Sequence, residues 1–267
     1  MQVTINGATI HYLETGGPGR LPVLFVHGFP FSSAMWDVQM QVVGRDYRAI
    51  AYDIRGLGRS DVGDGQYTIE GHVDDLVGLL DRLDIDKTVV VGLSMGGYIA
   101  LRALERNPER FLAAALCDTR SEADENAGKL KRATGAALVK RDGAAAFAES
   151  FVPAVFAPGS LRTRTEAVRL IRKIISETSP LAIAGHLIAM ACRTDTTASL
   201  ASMEIPTLIM AGEEDSVTPP ALARAMHERI RGSELHLVPE AGHMSNLENP
   251  DFFNSRLLAF LGKVAAG

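Results

Sequence analysis

The sequence predicts an α/β fold: a mostly parallel eight-stranded sheet flanked by helices, with a helical lid set into it. Three observations carry this. Short apolar runs alternate with helical patterns along most of the 267 residues, as in repeated strand–helix units whose strands are covered on both faces. The stretch 119–193 breaks that alternation and contains helical patterns alone. A Gly-x-Ser-x-Gly segment, Gly92 to Gly96, stands where a strand passes into a helix.

Taken in order, Gln2 to Asn6 and Thr9 to Glu14 alternate in polarity about Asn6-Gly7, the signature of a hairpin. A loop follows at Gly16-Gly17-Pro18-Gly19. Val23 to Val26 is a continuous apolar run, expected of a parallel strand, and Tyr47 to Tyr52, Thr88 to Val91, Phe111 to Leu116, Thr207 to Met210 and Leu235 to Val238 read the same way. Helical patterns lie between them: Ser33 to Val43; Ile69 to Leu83, with Thr68 as N-cap; Met95 to Arg106, stopped before Asn107-Pro108; Pro219 to Ile230, opened by proline; and Asp251 to Leu261. Right-handed crossovers then build one parallel sheet covered on both faces. The segment 119–193 reads as four helices, Asp124 to Lys140, Ala144 to Phe151, Arg162 to Ser176 and Leu181 to Ala191. Breaks fall at Asp142-Gly143, Pro158-Gly159 and Ser179-Pro180. The division expected is a core of 1–118 and 194–267 with a lid of 119–193.

Composition narrows the class. Apolar residues make up 46 % and charged residues 22 %, which argues against disorder. The net charge of −5 makes nucleic acid or an anionic membrane an improbable main partner. Cys117 and Cys192 are the only cysteines, too few for a disulfide framework or a zinc–thiolate site and suited to a reducing cytoplasm. The N-terminal MQVTINGATI has no basic region followed by an apolar run, so no signal peptide is expected. The longest mostly apolar stretch, Leu181 to Cys192, is too short to span a bilayer. Charge is uneven: 119–193 holds 12 Lys and Arg against 7 Asp and Glu, a net of +5, and the remainder carries −10. Solvated helix faces account for this; so does a positive lid over a site for anionic substrates.

The strand–turn–helix setting gives Gly92-Leu93-Ser94-Met95-Gly96 its meaning. A serine on a sharp, strained turn projects its hydroxyl above the strand ends, small neighbours let strand and helix pass closely, and the helix N-terminus faces a developing oxyanion. A serine hydroxyl needs a base, expected later in the order Ser, acid, His. His243 follows the last strand and stands at its carboxyl end, where open α/β sheets bind ligands. His27 precedes the serine and reads as a packing and hydrogen-bonding residue; His11, His72, His227 and His236 read as surface or satisfied core. The acid expected is Asp215, 121 residues after Ser94 and 28 before His243. Asp118, at the end of the preceding strand, is its rival, and Glu213 and Glu214 are expected to face solvent. The oxyanion donors expected are the Met95 N–H and one from His27-Gly28-Phe29-Pro30, narrowed to Phe29 because Pro30 has no N–H. Phe29, Phe31, Trp36, Met95, Phe147, Phe151, Phe156, His186 and Met190 are candidate pocket walls, with ordinary core as the alternative for the lid residues.

The chain resembles α/β-hydrolase fold enzymes over nearly its whole length. The resemblance is carried by His27-Gly28-Phe29-Pro30, Asp53-Ile54-Arg55-Gly56-Leu57-Gly58-Arg59-Ser60, Gly92 to Gly97, Gly212 to Pro219 and Gly242-His243. It implies that the stretch from Asp53 to Ser60 braces the loops around the site. His27-Gly28 followed by Met35-Trp36 is similar to bacterial arylesterases, some with perhydrolase side activity. Asp118-Thr119-Arg120, Asp215 to Pro220 and His243-Met244-Ser245-Asn246 are similar to 3-oxoadipate enol-lactonases, which differ in having an Asn-Ser type segment in place of His27 to Pro30. The function expected is a serine hydrolase of carboxylic esters or lactones that needs no metal or organic cofactor, with a small ester or lactone as partner and homo-oligomerisation left open. A perhydrolase or C–C bond hydrolase would use the same residues. An acyltransferase would need a lid that excludes water, and a ligand receptor would show little turnover.

Overall fold

The apolar runs become the strands of one sheet. In the computed structural model, which describes all 267 residues, the strands are β1 (Gln2–Ile5), β2 (Ala8–Thr15), β3 (Pro22–Val26), β4 (Arg48–Tyr52), β5 (Thr88–Leu93), β6 (Phe111–Cys117), β7 (Thr207–Gly212) and β8 (Glu234–Val238). They lie in the order β1-β2-β4-β3-β5-β6-β7-β8. β1 and β2 form a hairpin turned by Asn6 and Gly7 at φ 48° and 77°, the two positive values that a type I′ turn requires. β2 pairs antiparallel with β4, and every pairing from there to β8 is parallel. Every residue of β5 and of β7 is buried. That explains runs without alternation: both faces carry helices, so no face needs polar side chains.

The core helices are α1 (Asp37–Val43), α2 (Ile69–Arg82), α3 (Met95–Arg106), α8 (Pro220–Arg229) and α10 (Pro250–Ala266), and a single turn, α9 (Ser245–Glu248), precedes the last. Thr68 caps α2 by accepting from the Gly71 N–H at 2.9 Å. The helix expected from Ser33 to Val43 divides into a 3₁₀ turn, Ser33–Trp36, and α1. α10 runs five residues beyond its expected end at Leu261, because Val264 still packs on the core and Lys263 pairs with Glu234 at 2.8 Å. β7 likewise continues to Gly212, which is in register with Val238.

Between β6 and β7 the helical insertion contains α4 (Asn126–Val155), α5 (Ser160–Thr163), α6 (Thr165–Glu177) and α7 (Pro180–Ala191). α4 is interrupted at Gly143, whose φ of 85° and ψ of 169° lie outside the helical region, so the expected break at Asp142-Gly143 is a bend between two helices that nearly abut. The short α5 and a 3₁₀ turn, Thr197–Ser202, have no counterpart in the periodicity. The expected first helix begins two residues late, because Asp124 is taken up by Arg120, Arg132 and Arg193. Arg193 also lies over the ring of Tyr98 in α3 at 4.3 Å, which fastens the insertion to the core. No single helix is long and apolar enough to cross a membrane.

Candidate active site

The loops that carry the expected catalytic residues continue the sheet's own ladder. Ser94 N–H donates to the Cys117 carbonyl at 2.9 Å, Asp118 N–H to Met210 at 2.8 Å and Glu213 N–H to Val238 at 3.0 Å. The ends of β5, β6, β7 and β8 are thus level, and the loops leaving these strands meet on one shelf.

Ser94 has φ 55° and ψ −116°, a strained conformation for a residue with a Cβ. The flanking glycines show why it persists. A Cβ on Gly92 would collide with the backbone of Gly96, and one on Gly96 with the carbonyls of Val26 and His27. Thr119 Oγ1 donates to the Ser94 carbonyl at 2.8 Å and secures the turn from β6.

From this turn the Ser94 hydroxyl meets His243 Nε2 at 2.9 Å, and the opposite ring nitrogen, Nδ1, donates to Asp215 Oδ2 at 2.8 Å. That arrangement leaves Nε2 free to accept the serine proton. Asp215 is itself fixed: Oδ1 accepts from the N–H groups of Val217 and Thr218 at 2.8 and 3.0 Å, and Oδ2 from Thr218 Oγ1 at 2.7 Å. All three residues are buried, Ser94 least, at 8 % exposure. Burial alone would lower the proton affinity of His243. The Asp215 carboxylate, with Asp118 and Glu248 behind it, outweighs that and leaves it raised. Burial works against the charge on Asp215 too, but His243 and the Thr218 donors hold its pKa below the ordinary value.

Asp118 occupies a different role from Asp215. It is fully buried at φ 45°. It accepts from the Gly212 N–H at 2.8 Å and from Ser245 Oγ. Burial, then the nearby Asp215 charge, pushes its pKa well up. Its hydrogen bonds therefore tie strand ends together, and the carboxylate on the imidazole is that of Asp215. Glu213 and Glu214 are exposed.

The two N–H groups expected to hold an oxyanion lie on the turn after β5 and on the loop after β3. Met95 opens α3, and a first-turn N–H has no acceptor within its helix. The Phe29 N–H has no acceptor within the chain. His27 is wholly buried; its Nδ1 donates to the Gly28 carbonyl at 2.8 Å and its Nε2 accepts from Ile54 N–H at 3.0 Å. Asp53 accepts from the N–H groups of Ser33 and Arg59 at 2.7 and 2.8 Å. The Asp53–Ser60 stretch and the Phe29 loop thus brace one another.

The expected pocket walls separate into groups. Phe147 and Phe151, from α4 beyond the bend, pack edge-on to Phe29 at 6.1 and 5.9 Å, and Phe151 lies 6.4 Å from Phe31. His186 lies 6.4 Å from Phe29 and stacks on Tyr67 and His72 at 4.2 and 5.1 Å. Phe156 is buried, and the next residue, Ala157, packs on Gly242. Met190 accepts from Arg132 at 3.4 Å. Trp36 corrects the expectation: it lies in the core between Phe25 and Phe253, at 5.1 and 6.2 Å, because its 3₁₀ turn packs on β3 and β4. His72 also departs from the expectation of a surface or satisfied residue; it is buried with Nε2 unpartnered.

A cleft of about 840 Å³ runs between α7 and α2 past Tyr67 and His72, and none of the three residues of the relay lines it. A second, of about 530 Å³, follows α4 around Gly143 and reaches Phe147. No group of three or more His, Cys, Asp or Glu side chains is placed to hold a metal ion. Glu248, which the motifs did not single out, is buried at 1 % exposure and accepts from three backbone N–H groups, those of Gly242 and Met244 at 3.0 Å and of Ala157 at 2.8 Å. It lies in a mostly polar turn, Ser245-Asn246-Leu247-Glu248, so nothing in the local sequence marks it as buried.

Comparison with known proteins agrees with this architecture. Residues 22–250 match the model of the alpha/beta hydrolase fold. The chain is 29 % identical to 3-oxoadipate enol-lactonase 2 of Acinetobacter baylyi over 97 % of its own length and 95 % of the relative's. It is 30 % identical to a putative non-heme chloroperoxidase of Synechocystis over 96 % of both chains. A thermophilic esterase from Thermogutta terrifontis, solved with malate bound, superposes with a TM-score of 0.95 at 34 % identity over 99 % of both chains.

Proposed function

The chain belongs to the α/β-hydrolase fold family, and we propose that it hydrolyses carboxylic esters or lactones through an acyl-enzyme on Ser94. The observation that carries this is the unbroken relay from Asp215 through His243 to the Ser94 hydroxyl, with links of 2.8 and 2.9 Å. Likeness to an esterase and to an enol-lactonase over nearly the full chain supports the substrate class.

Ser94 Oγ attacks the carbonyl carbon while His243 Nε2 takes its proton, and Asp215 stabilises the imidazolium. The Phe29 and Met95 N–H groups hold the oxyanion. Collapse expels the alcohol, or opens the lactone ring, as His243 returns the proton to the leaving oxygen. Water, deprotonated by His243, then attacks the acyl carbon, and as the acyl–Oγ bond breaks His243 returns that proton to Ser94 Oγ and the acid is freed. The insertion 119–193 acts as a lid, with Phe147 and Phe151 over Phe29.

The test is a panel of aryl esters, alkyl esters and lactones, with Ser94→Ala as the blank. Turnover should fall by roughly 10⁴ to 10⁶ in the variant. Retention of more than about a tenth would falsify the nucleophile assignment, and a protein that binds the panel without turnover would be a receptor. The relative named a chloroperoxidase is the reason to include hydrogen peroxide, which would replace water at the acyl-enzyme in a perhydrolase.

A further inference from the structure

We propose that Glu248 is a positioning residue for His243, and that it couples the imidazole to the helical insertion; this rests on the hydrolase reading of the site. A buried carboxylate ordinarily has a cation beside it. Glu248 has none, and its hydrogen bonds are all to backbone N–H groups. Oε1 accepts from Gly242 and from Met244, the residues on either side of His243. Bridging those two donors fixes the peptide planes that set the direction of the His243 side chain. The ring needs that direction, because it must reach Ser94 and Asp215 at the same time.

Oε2 accepts from the Ala157 N–H at 2.8 Å. Ala157 lies two residues past the end of α4, the helix that carries Phe147 and Phe151 over Phe29. A Cβ on Gly242 would meet the Ala157 nitrogen at 2.6 Å, so the insertion runs directly against the histidine loop. One carboxylate therefore holds the base from one side and the end of α4 from the other. Its charge also faces the imidazole, together with Asp215 from the loop after β7 and Asp118 from the end of β6, and all three favour the imidazolium that forms when Ser94 is deprotonated.

The experiment compares Glu248→Gln and Glu248→Ala with the parent chain on a short aryl ester, with Ser94→Ala as the blank. Glutamine keeps the shape and one acceptor oxygen but loses the charge, and its amide must turn a donor towards a backbone N–H. In Glu248→Gln the acid limb of kcat/KM should move to lower pH, and kcat should fall with KM nearly unchanged. In Glu248→Ala the histidine loop loses its anchor and kcat should fall by about 10²-fold, the scale of a misplaced catalytic group. A residue that only fills space would leave the pH profile where it is. The proposal is overturned if the Glu248→Gln profile superimposes on the parent's with kcat within about twofold, and that variant decides the matter even if Glu248→Ala does not fold. Turnover surviving in Ser94→Ala brings down the Ser94–His243 mechanism and this role with it. Ser94-dependent turnover that ignores Glu248 brings down this role alone.

Discussion

Ser94, Asp215 and His243 stand on loops that extend the sheet's hydrogen-bond ladder, whereas the insertion 119–193 is held chiefly by side chains: apolar packing between helices and a knot of arginines on Asp124. The first region is fixed by backbone geometry that tolerates few residue types at each position. The second is fixed by volume and charge, which many sequences satisfy. On the proposed function, geometry is concentrated where bonds would be made and broken, and adaptability where a substrate would be admitted.

The sharpest way to break this contrast is at the two buried aspartates of the shelf. Asp215→Asn should lower kcat by about 10⁴, because the amide cannot stabilise the imidazolium and disturbs the ring's tautomer. Asp118→Asn should cost less than about tenfold, since Asp118 links Gly212 to Ser245 and makes no hydrogen bond to the imidazole. Measuring kcat for both variants decides it. The reverse ranking would move the catalytic acid from the loop after β7 to the end of β6.

Next in size is the insertion's own anchor. Asp124 accepts from Arg120 at 2.5 Å, from Arg132, and from Arg193 at 2.9 Å. Burial opposes its charge, but Arg132 and Arg193 prevail and hold its pKa down to about 2, from an ordinary 3.8. Its stabilisation is therefore complete above about pH 4 and is lost as pH falls towards 2. Asp124→Asn leaves three guanidinium groups without their counter-charge and should destabilise the fold by about 3 kcal/mol, at the low end for a buried pair because Arg120 and Arg132 reach solvent. Denaturant unfolding measures this. A loss of kcat at unchanged stability would show instead that the anchor belongs to the chemistry.

The same contrast explains which features are legible in the sequence. Asn6-Gly7, Gly92 and Gly96 announce themselves because a turn or a close approach needs them, and Ser94, Asp215 and His243 follow in chain order the strands β5, β7 and β8 whose ends carry them. Alternation about Asn6-Gly7 locates the first two strands and apolar runs the other six, with ends off by a residue or two where hydrogen bonding, and not hydropathy, sets the limit. Trp36 departs from expectation because an aromatic next to a site loop reads the same whether its 3₁₀ turn faces the site or the core. The Asp124 knot and the contact between Glu248 and Ala157 join residues up to 91 positions apart, and no local pattern reports such pairs. Helix periodicity finds the four main pieces of the insertion but does not say that the first two nearly abut at Gly143.

The pH dependence sharpens the shelf's side of the comparison. Burial lowers the His243 pKa, and the surrounding carboxylates raise it by more. The imidazolium cannot take the serine proton, so kcat/KM should fall about tenfold per pH unit on the acid side, with a midpoint above the ordinary histidine value of about 6.5. A profile flat from acid to neutral pH would break the assignment of His243 as base.

The smallest effect belongs to the insertion's charge. Of its twelve basic residues, seven are paired with acids of the insertion itself: Arg120, Arg132 and Arg193 with Asp124, and Arg141, Arg169, Arg172 and Lys173 with Asp142, Glu166, Glu149 and Glu177. Three of those arginines share Asp124, which leaves +2 there, and Lys129, Lys131, Lys140, Arg162 and Arg164, set against the unpaired Glu122 and Glu125, supply the other +3 of the net +5. Lys131 borders the cleft that reaches Phe147 and, through it, Phe29. An ester bearing a free carboxylate should therefore meet a favourable field on the way in, whereas a matched neutral ester meets none. Raising salt shortens the reach of that field from about 30 Å at 0.01 M to about 8 Å at physiological strength. The carboxylate ester should lose a few-fold in kcat/KM over this range while kcat holds, because steering changes encounter and leaves the chemical step alone. Lys131→Gln should remove part of that salt dependence. Equal salt responses for the two esters would reduce the basic residues to solvated helix faces and leave the insertion to select substrates by shape, through Phe147 and Phe151.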